Sequence, residues 1–178
     1  MPMTKPFQDF DLSSVWEPNG YADKHYKEAP FTPEILAEVE TILGYKLPQS
    51  FITLMAIQNG GTFRNKCYPT AQPTSWSDNH VFVEEVSGIG LNKPGSLCGK
   101  MGQKLWLGDW GYPPIGVYFA NDPTAGHAMF ALDYRRCGKN GEPEVVLVEQ
   151  ELGYEIIKLA PDFETFIRHL QHEDNFAD

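Results

Sequence analysis

The segment Asn121-Asp-Pro-Thr-Ala-Gly-His-Ala-Met-Phe-Ala-Leu-Asp-Tyr134 brings Asp122, His127 and Asp133 close together in the chain. Two carboxylates and an imidazole are a donor set for a divalent metal, or the parts of a general acid–base pair. The same residues have a simpler reading. Asp122-Pro123 followed by Gly126 is turn chemistry, in which an Asp side chain bonds backbone two positions on. Asp133 is then one polar position on an otherwise alternating strand. An enzyme built on Asp122, His127 and Asp133 is therefore the third of three functions that the sequence supports.

Other catalytic signatures are missing from the sequence. No Gly-x-Ser-x-Gly occurs, and Cys67, Cys98 and Cys137 have no histidine beside them. Their number and spacing suit neither a disulfide framework nor a zinc knuckle, and they point to a reducing, cytoplasmic setting. Gly88-Ile89-Gly90 lacks the rest of a dinucleotide fingerprint, and Lys93-Pro-Gly-Ser96 is no phosphate loop. No cofactor and no metal are expected.

What remains is the chemistry of binding. Leu105-Trp-Leu-Gly-Asp-Trp-Gly-Tyr112 is the densest aromatic run, and it sets Asp109 between Trp106 and Trp110. Trp and Tyr are favoured interface anchors, and an acid among them can meet Arg or Lys. The alternative is that the loop folds back and buries these rings as a satellite core. Glu84 and Glu85 end a strand, and Glu142, Glu144, Glu149, Glu151 and Glu155 fall in a stretch without a basic residue. A solvated face is the default for such charges. His25 and His80 show no partner, while His169 and His172, beside Arg168, complement the dipole of a final helix.

The whole chain repeats this bias. Its 178 residues carry 14 Lys+Arg and 24 Asp+Glu, a net charge of −10. That excess speaks against general nucleic-acid binding, which needs Lys and Arg on phosphates. It permits a basic protein partner, because complementary charge steers encounter. The N-terminus lacks the apolar core of a signal peptide, and no apolar stretch approaches the ~20 residues of a spanning helix. Neither secretion nor membrane association is expected.

The elements that must position these residues follow from patterning. A length of 178 with 42% hydrophobic and 21% charged residues suits one globular domain over 1–178. Residues 1–31, with Pro2, Pro6, Pro18, Gly20 and Pro30, read as an irregular lead-in. Thr32-Pro33-Glu34 opens a helix as cap, first-turn proline and acid. Ile35, Leu36, Val39, Ile42 and Leu43 form its apolar stripe, and Gly44 ends it. Leu47-Pro48 starts a second helix with Phe51, Leu54 and Met55 buried, and Asn59-Gly60-Gly61 closes it. Residues 62–114 read as a long, loop-rich insertion with one strand at Val81–Val86.

Strands are expected at Ile115–Ala120, Ala128–Tyr134, Glu144–Gln150 and Tyr154–Leu159, with Asn140-Gly141 as a hairpin turn. The third is apolar on both sides and therefore central and covered by helix, while one sheet face stays open for a partner. A last helix runs from about Asp162 to His172 on Phe163, Phe166, Ile167 and Leu170. The class is α+β: a mainly antiparallel sheet flanked by two N-terminal helices and one C-terminal helix.

The two-helix unit is more specific than its periodicity. Glu40-x-x-Leu43-Gly44-x-x-Leu47-Pro48-x-x-Phe51-x-x-Leu54, then Asn59-Gly60-Gly61, resembles the signature of the SUKH superfamily. That superfamily takes in fungal cell-wall-synthesis regulators and bacterial immunity proteins. Trp16 resembles its early aromatic residue, and the strands and closing helix from Gly116 to Ile167 resemble its later elements. The resemblance implies a binding protein without a catalytic centre, whose bacterial relatives neutralise a toxin, often a nuclease. A basic protein toxin is then the expected partner, met by Glu84, Glu85, Trp106, Asp109 and Trp110, with this chain a monomer or weak dimer. The second reading is an intracellular regulator or scaffold.

Overall fold

The computed structural model describes residues 5–176. Its first elements lie in the stretch expected to be irregular: a 3-10 turn at Leu12–Ser14, β1 (Trp16–Glu17) and α1 (Gly20–His25). Asn19 makes α1 possible. Its side chain accepts the Ala22 N–H at 3.0 Å, so Pro18 falls outside the helix and Gly20 at its first position. Neither breaker interrupts anything, which is why composition alone misread the segment.

α2 (Pro33–Leu43) starts and stops as expected. Thr32 Oγ1 accepts the Ile35 N–H at 3.2 Å, and the helix ends on Gly44 at φ +81°. Glu40 explains its own place in the motif: Oε2 accepts the Leu47 N–H at 2.7 Å, and Oε1 lies 3.7 Å from Lys46 Nζ. The carboxylate thereby fixes the Leu47-Pro48 corner and the direction of α3 (Gln49–Ile57). After α3, the glycines of Asn59-Gly60-Gly61 lead into β2 (Thr62–Phe63), which pairs with β1 and sets Trp16 5.0 Å from Phe63. A Cβ on Gly60, at φ +97°, would stand 2.6 Å from the Tyr26 carbonyl, so the two strips of backbone meet there only through glycine.

The long insertion is more structured than its composition implies. β3 (Cys67–Pro69) and β4 (His80–Phe82) form a hairpin, so the strand expected over Val81–Val86 stops at Phe82. Beyond it the chain lies along the free edge of β5 (Gly116–Asn121). Glu84 N–H donates to Asn121 O at 2.8 Å, Ser87 N–H to Phe119 O at 2.8 Å, and Val86 bridges both Gly61 and Ala120. Gln103 completes the edge. Where β5 bulges between Tyr118 and Ala120, its amide donates to Tyr118 O at 2.7 Å and accepts Tyr118 N–H at 2.9 Å. A side chain stands in for a strand, and an exposed edge is avoided.

β5, β6 (Ala128–Asp133), β7 (Glu144–Glu149) and β8 (Glu155–Ala160) form one antiparallel meander in that order, and α4 (Phe163–Arg168) follows. The class is α+β. One face of the sheet packs on helices: Phe51, Phe119 and Phe163 meet edge-on with centroids 5.1–6.1 Å apart. The other face is closed too, which corrects two expectations. No open sheet face remains, and β7 has helix on one side only. Trp106, Tyr112, Tyr118, Val146 and Val148 make a second core under the aromatic loop. Tyr112 OH donates to Gly126 O at 2.6 Å, Tyr118 OH to Pro113 O at 2.6 Å, and Tyr154 OH to Trp110 O.

Two more expectations change. Glu149 is not solvated: it is fully buried, and its Oε1 accepts both the backbone N–H and the hydroxyl of Ser75. α4 ends at Arg168, so His169 caps it and His172 lies beyond it.

Two buried polar side chains hold the irregular parts to this frame. Asn59 Nδ2 donates to Ala29 O and Ile89 O at 2.9 Å each, and Oδ1 accepts the Ile89 N–H at 2.7 Å. Glu28 Oε2 accepts from Asn92 N–H (2.7 Å), Lys93 N–H (3.0 Å) and Ser96 Oγ (2.7 Å). Burial alone would raise the Glu28 carboxyl, but these bonds outweigh it and hold it below the usual carboxylate range. Asn59→Ala should therefore cost about 2–4 kcal/mol in chemical denaturation, since three bonds go and two carbonyls are orphaned. Glu28→Gln should destabilise at neutral pH and less in acid: a depressed pKa stabilises above the unfolded value and is lost as pH falls through the folded one. A variant whose deficit is the same at pH 7 and pH 3 would contradict that role.

Candidate functional site

Where α1, the Glu84–Ser87 segment and the β5–β6 turn converge, they leave a cleft of about 340 Å³. Asn121 assembles it. Its Oδ1 accepts the Glu85 N–H at 2.9 Å while its Nδ2 reaches the Tyr26 hydroxyl at 3.4 Å, so one side chain ties three elements together. Tyr21, Tyr26, Met101 and Trp106 line it, and Glu84, Glu85 and Asp122 supply the charge. No Lys, Arg or His is among the lining residues.

The carboxylates are unusual in their surroundings. Asp122 is only 2% exposed; its Oδ1 accepts the Thr124 N–H at 2.9 Å and the Thr124 hydroxyl, while no hydrogen bond reaches its Oδ2 from the described residues. Burial, outweighing the Thr124 bonds and reinforced by Glu149, pushes the Asp122 carboxyl above its usual range. Glu85 Oε2 is buried without a hydrogen-bond partner, and burial together with neighbouring Glu84 raises that carboxyl as well. Burial and Glu85 push the Tyr26 hydroxyl far up, so it stays a neutral donor. The cleft is an acidic site lined in part by aromatic side chains.

Four residues singled out in the sequence, Glu84, Glu85, Trp106 and Asp122, line this one cleft. Most of the Trp106 ring is buried, as a satellite core requires, and its remaining surface lines the cleft. Trp110 sits behind it at 5.6 Å and faces His127 edge-on at 5.2 Å. Asp109 is exposed at the end of the π-helical turn Leu105–Asp109, outside the cleft. Nothing in the sequence singles out Tyr21, Tyr26, Met101 or Asn121; only the turn residues after Asn121 offer a signal, and there the turn reading holds, since Asp122 Oδ1 accepts the Thr124 N–H two positions on.

That metal reading loses its geometry. Asp133 closes β6 while His127 precedes its first residue, a separation of about 20 Å along extended chain. Arg135 grips Asp133 from Nε at 3.0 Å and Nη2 at 2.7 Å, and His127 Nδ1 lies 2.7 Å from Glu151 Oε1. Among the described residues no group of three or more His, Cys, Asp or Glu could hold a metal ion. A larger cleft of about 610 Å³ lies at the Leu47-Pro48 corner, but its Glu40 is already bonded to Leu47 and paired with Lys46.

A SUKH family model, described as SMI1-KNR4 cell-wall, matches residues 33–167. The chain belongs to that family. The match takes in the motif from Glu40 to Gly61, the cleft residues from Glu84 to Gly126 and the whole meander, while Trp16, Tyr21 and Tyr26 lie before it. No curated protein matches the sequence. SMI1-KNR4 membership supports a non-catalytic role of the regulator or immunity type.

Asp122→Asn keeps the acceptor for Thr124 and removes the buried charge. It should stabilise the protein by about 1 kcal/mol at pH 7, or roughly 2–4 °C in melting temperature. The raised carboxyl stabilises fully below the unfolded pKa, and that stability is lost as pH rises through the folded value. The advantage of Asp122→Asn should thus shrink towards pH 4. A variant less stable than the parent at pH 7 would show that the Asp122 charge supports the fold.

Proposed function

We propose that this SMI1-KNR4-type protein is a non-catalytic immunity protein that neutralises a basic protein toxin by stoichiometric occlusion in the cytoplasm. The acidic cleft carries this reading. Around it lies the apolar surface that an interface needs: Tyr21 and Met101, both exposed, stand at its rim. The loop that bears Met101 and Trp106 turns its other side to a second cleft of about 490 Å³, where exposed Ile42 and Leu107 lie beside Gln103 and Lys104. An apolar surface next to unpaired charge is the composition of a docking face. The net charge of −10 extends the same sign over the molecule and speeds approach of a basic surface.

The family description favours one second reading, a regulator of cell-wall synthesis. The two differ in what they protect. Toxin domains encoded in the source genome would be expressed singly in a sensitive host, with and without this protein. Restored growth with one toxin, together with a 1:1 complex by light scattering, is the expected result. Growth restored with none of them would overturn the immunity reading in favour of the regulator.

A further inference from the structure

We infer that Asn140-Gly141 is a site of spontaneous deamidation, at which the Asn140 amide becomes a carboxylate as the folded protein ages. It needs no partner and stands apart from the immunity role. Asn-Gly pairs are labile because glycine sets no side chain in the way when its nitrogen attacks the neighbouring amide. The Gly141 nitrogen, its proton passed to solvent base, bonds to Asn140 Cγ, and the side-chain nitrogen leaves as ammonia. Water then opens the succinimide at either carbonyl, giving aspartate or isoaspartate. Nothing is oxidised or reduced, and water is the only co-reactant.

The chain has three such pairs, and the fold treats them differently. Asn59 is 3% exposed, its amide makes three hydrogen bonds, and Gly60 N–H donates to Gln58 O at 3.1 Å. Asn19 is exposed, but its Oδ1 accepts the Ala22 N–H at 3.0 Å, so attack at its Cγ would dismantle the start of α1. Asn140 is exposed between β6 and β7, and its side chain bonds no described residue. Gly141 N–H has one bond to release, to Gly138 O at 3.1 Å within the same turn. The glycine itself is fixed by packing. A Cβ on Gly141 would stand 2.5 Å from the Cys137 carbonyl oxygen and 2.7 Å from Cys137 Cβ, so the labile pair persists with the turn.

The product reaches beyond the turn. Lys139 O accepts the Lys46 N–H at 2.9 Å, and Tyr134 OH donates to Lys46 O at 2.7 Å, so this connection steadies the Leu47-Pro48 corner. Isoaspartate at 140 routes the main chain through the former side chain and lengthens it by a methylene beside Lys139. The Lys46–Lys139 bond then loosens, whereas ordinary aspartate keeps the main chain and the bond.

The intact protein would be aged at mildly alkaline and mildly acid pH, natively and in guanidinium chloride, then digested in acid and mapped by mass spectrometry. Electron-transfer fragmentation separates aspartate from isoaspartate. In the native protein Asn140 should convert first, and faster in alkali because the attacking nitrogen must lose its proton. Asn19 and Asn59 should remain amides over the same period. In guanidinium chloride all three should convert together, since only their sequence remains. Asn140→Gln should abolish the early acidic species on ion exchange. By hydrogen exchange, the Lys46 amide should open faster in the isoaspartyl form than in Asn140→Asp. Native Asn19 or Asn59 converting as fast as Asn140, native Asn140 as protected as Asn59, or an undiminished acidic species in Asn140→Gln would each overturn the site. A Lys46 amide equally protected in both forms would overturn its coupling to the corner.

Discussion

The molecule depends on one buried amide. Asn59 stands where α3 ends and the chain must both turn and hold two distant segments that have no regular structure of their own. Its side chain satisfies Ala29 and Ile89, and its own carbonyl accepts the Glu28 N–H at 2.8 Å. These bonds join the N-terminal arm, the two-helix unit and the long insertion at a single point. Gly60 and Gly88 complete the junction, because a Cβ on Gly88 would lie 2.2 Å from the Asn59 carbonyl. Apolar burial is non-directional and could not set this register; a fully bonded amide can.

That junction explains why some of the fold was legible and some was not. The caps, the apolar stripe of α2, the Leu-Pro corner and the meander are written locally, as spacing and turn chemistry, and each stands within a residue or two of its expected place. The insertion is not written that way. Gln103 pairs with Tyr118 fifteen positions on, Glu28 holds Asn92 to Ser96, and Glu149 holds Ser75 across more than seventy positions. No periodicity marks a side chain that replaces a strand partner. A carboxylate used as an internal acceptor looks like any surface acid until its donors are known.

The candidate site shows the same division. Glu84, Glu85 and Trp106 were visible as residue types suited to binding, yet nothing in the sequence said that they share a cleft. Their meeting is topological: the segment after β4 runs along β5 instead of pairing with β3, and the aromatic loop folds over the sheet face that the sequence left open. Tyr21 and Tyr26 entered only because Asn19 caps a helix in a proline-rich stretch. Asp122 carries two readings in the sequence, ligand and turn, and its bond to Thr124 is the turn bond that Asp-Pro predicts.

Glu28 and Asp122 are buried acids with opposite surroundings. Both are acids buried near loops. Glu28 is surrounded by donors, its carboxyl is held down, and its charge stabilises the fold. Asp122 and Glu85 each keep an oxygen without a donor, their carboxyls are pushed up, and their charge works against the fold. A chain able to satisfy one buried carboxylate three times over has the means to satisfy others. Yet Asp23 Oδ1 and Glu149 Oε2 are also buried without a partner among the described residues, so an open carboxylate oxygen is a local conflict that recurs in this fold and does not by itself mark the cleft. The aromatic loop then has a double task. Its inner side seals the sheet, and its outer side gives Met101 and the Trp106 edge to the cleft, so a partner of the proposed kind would meet a surface already arranged and lose little entropy in ordering it.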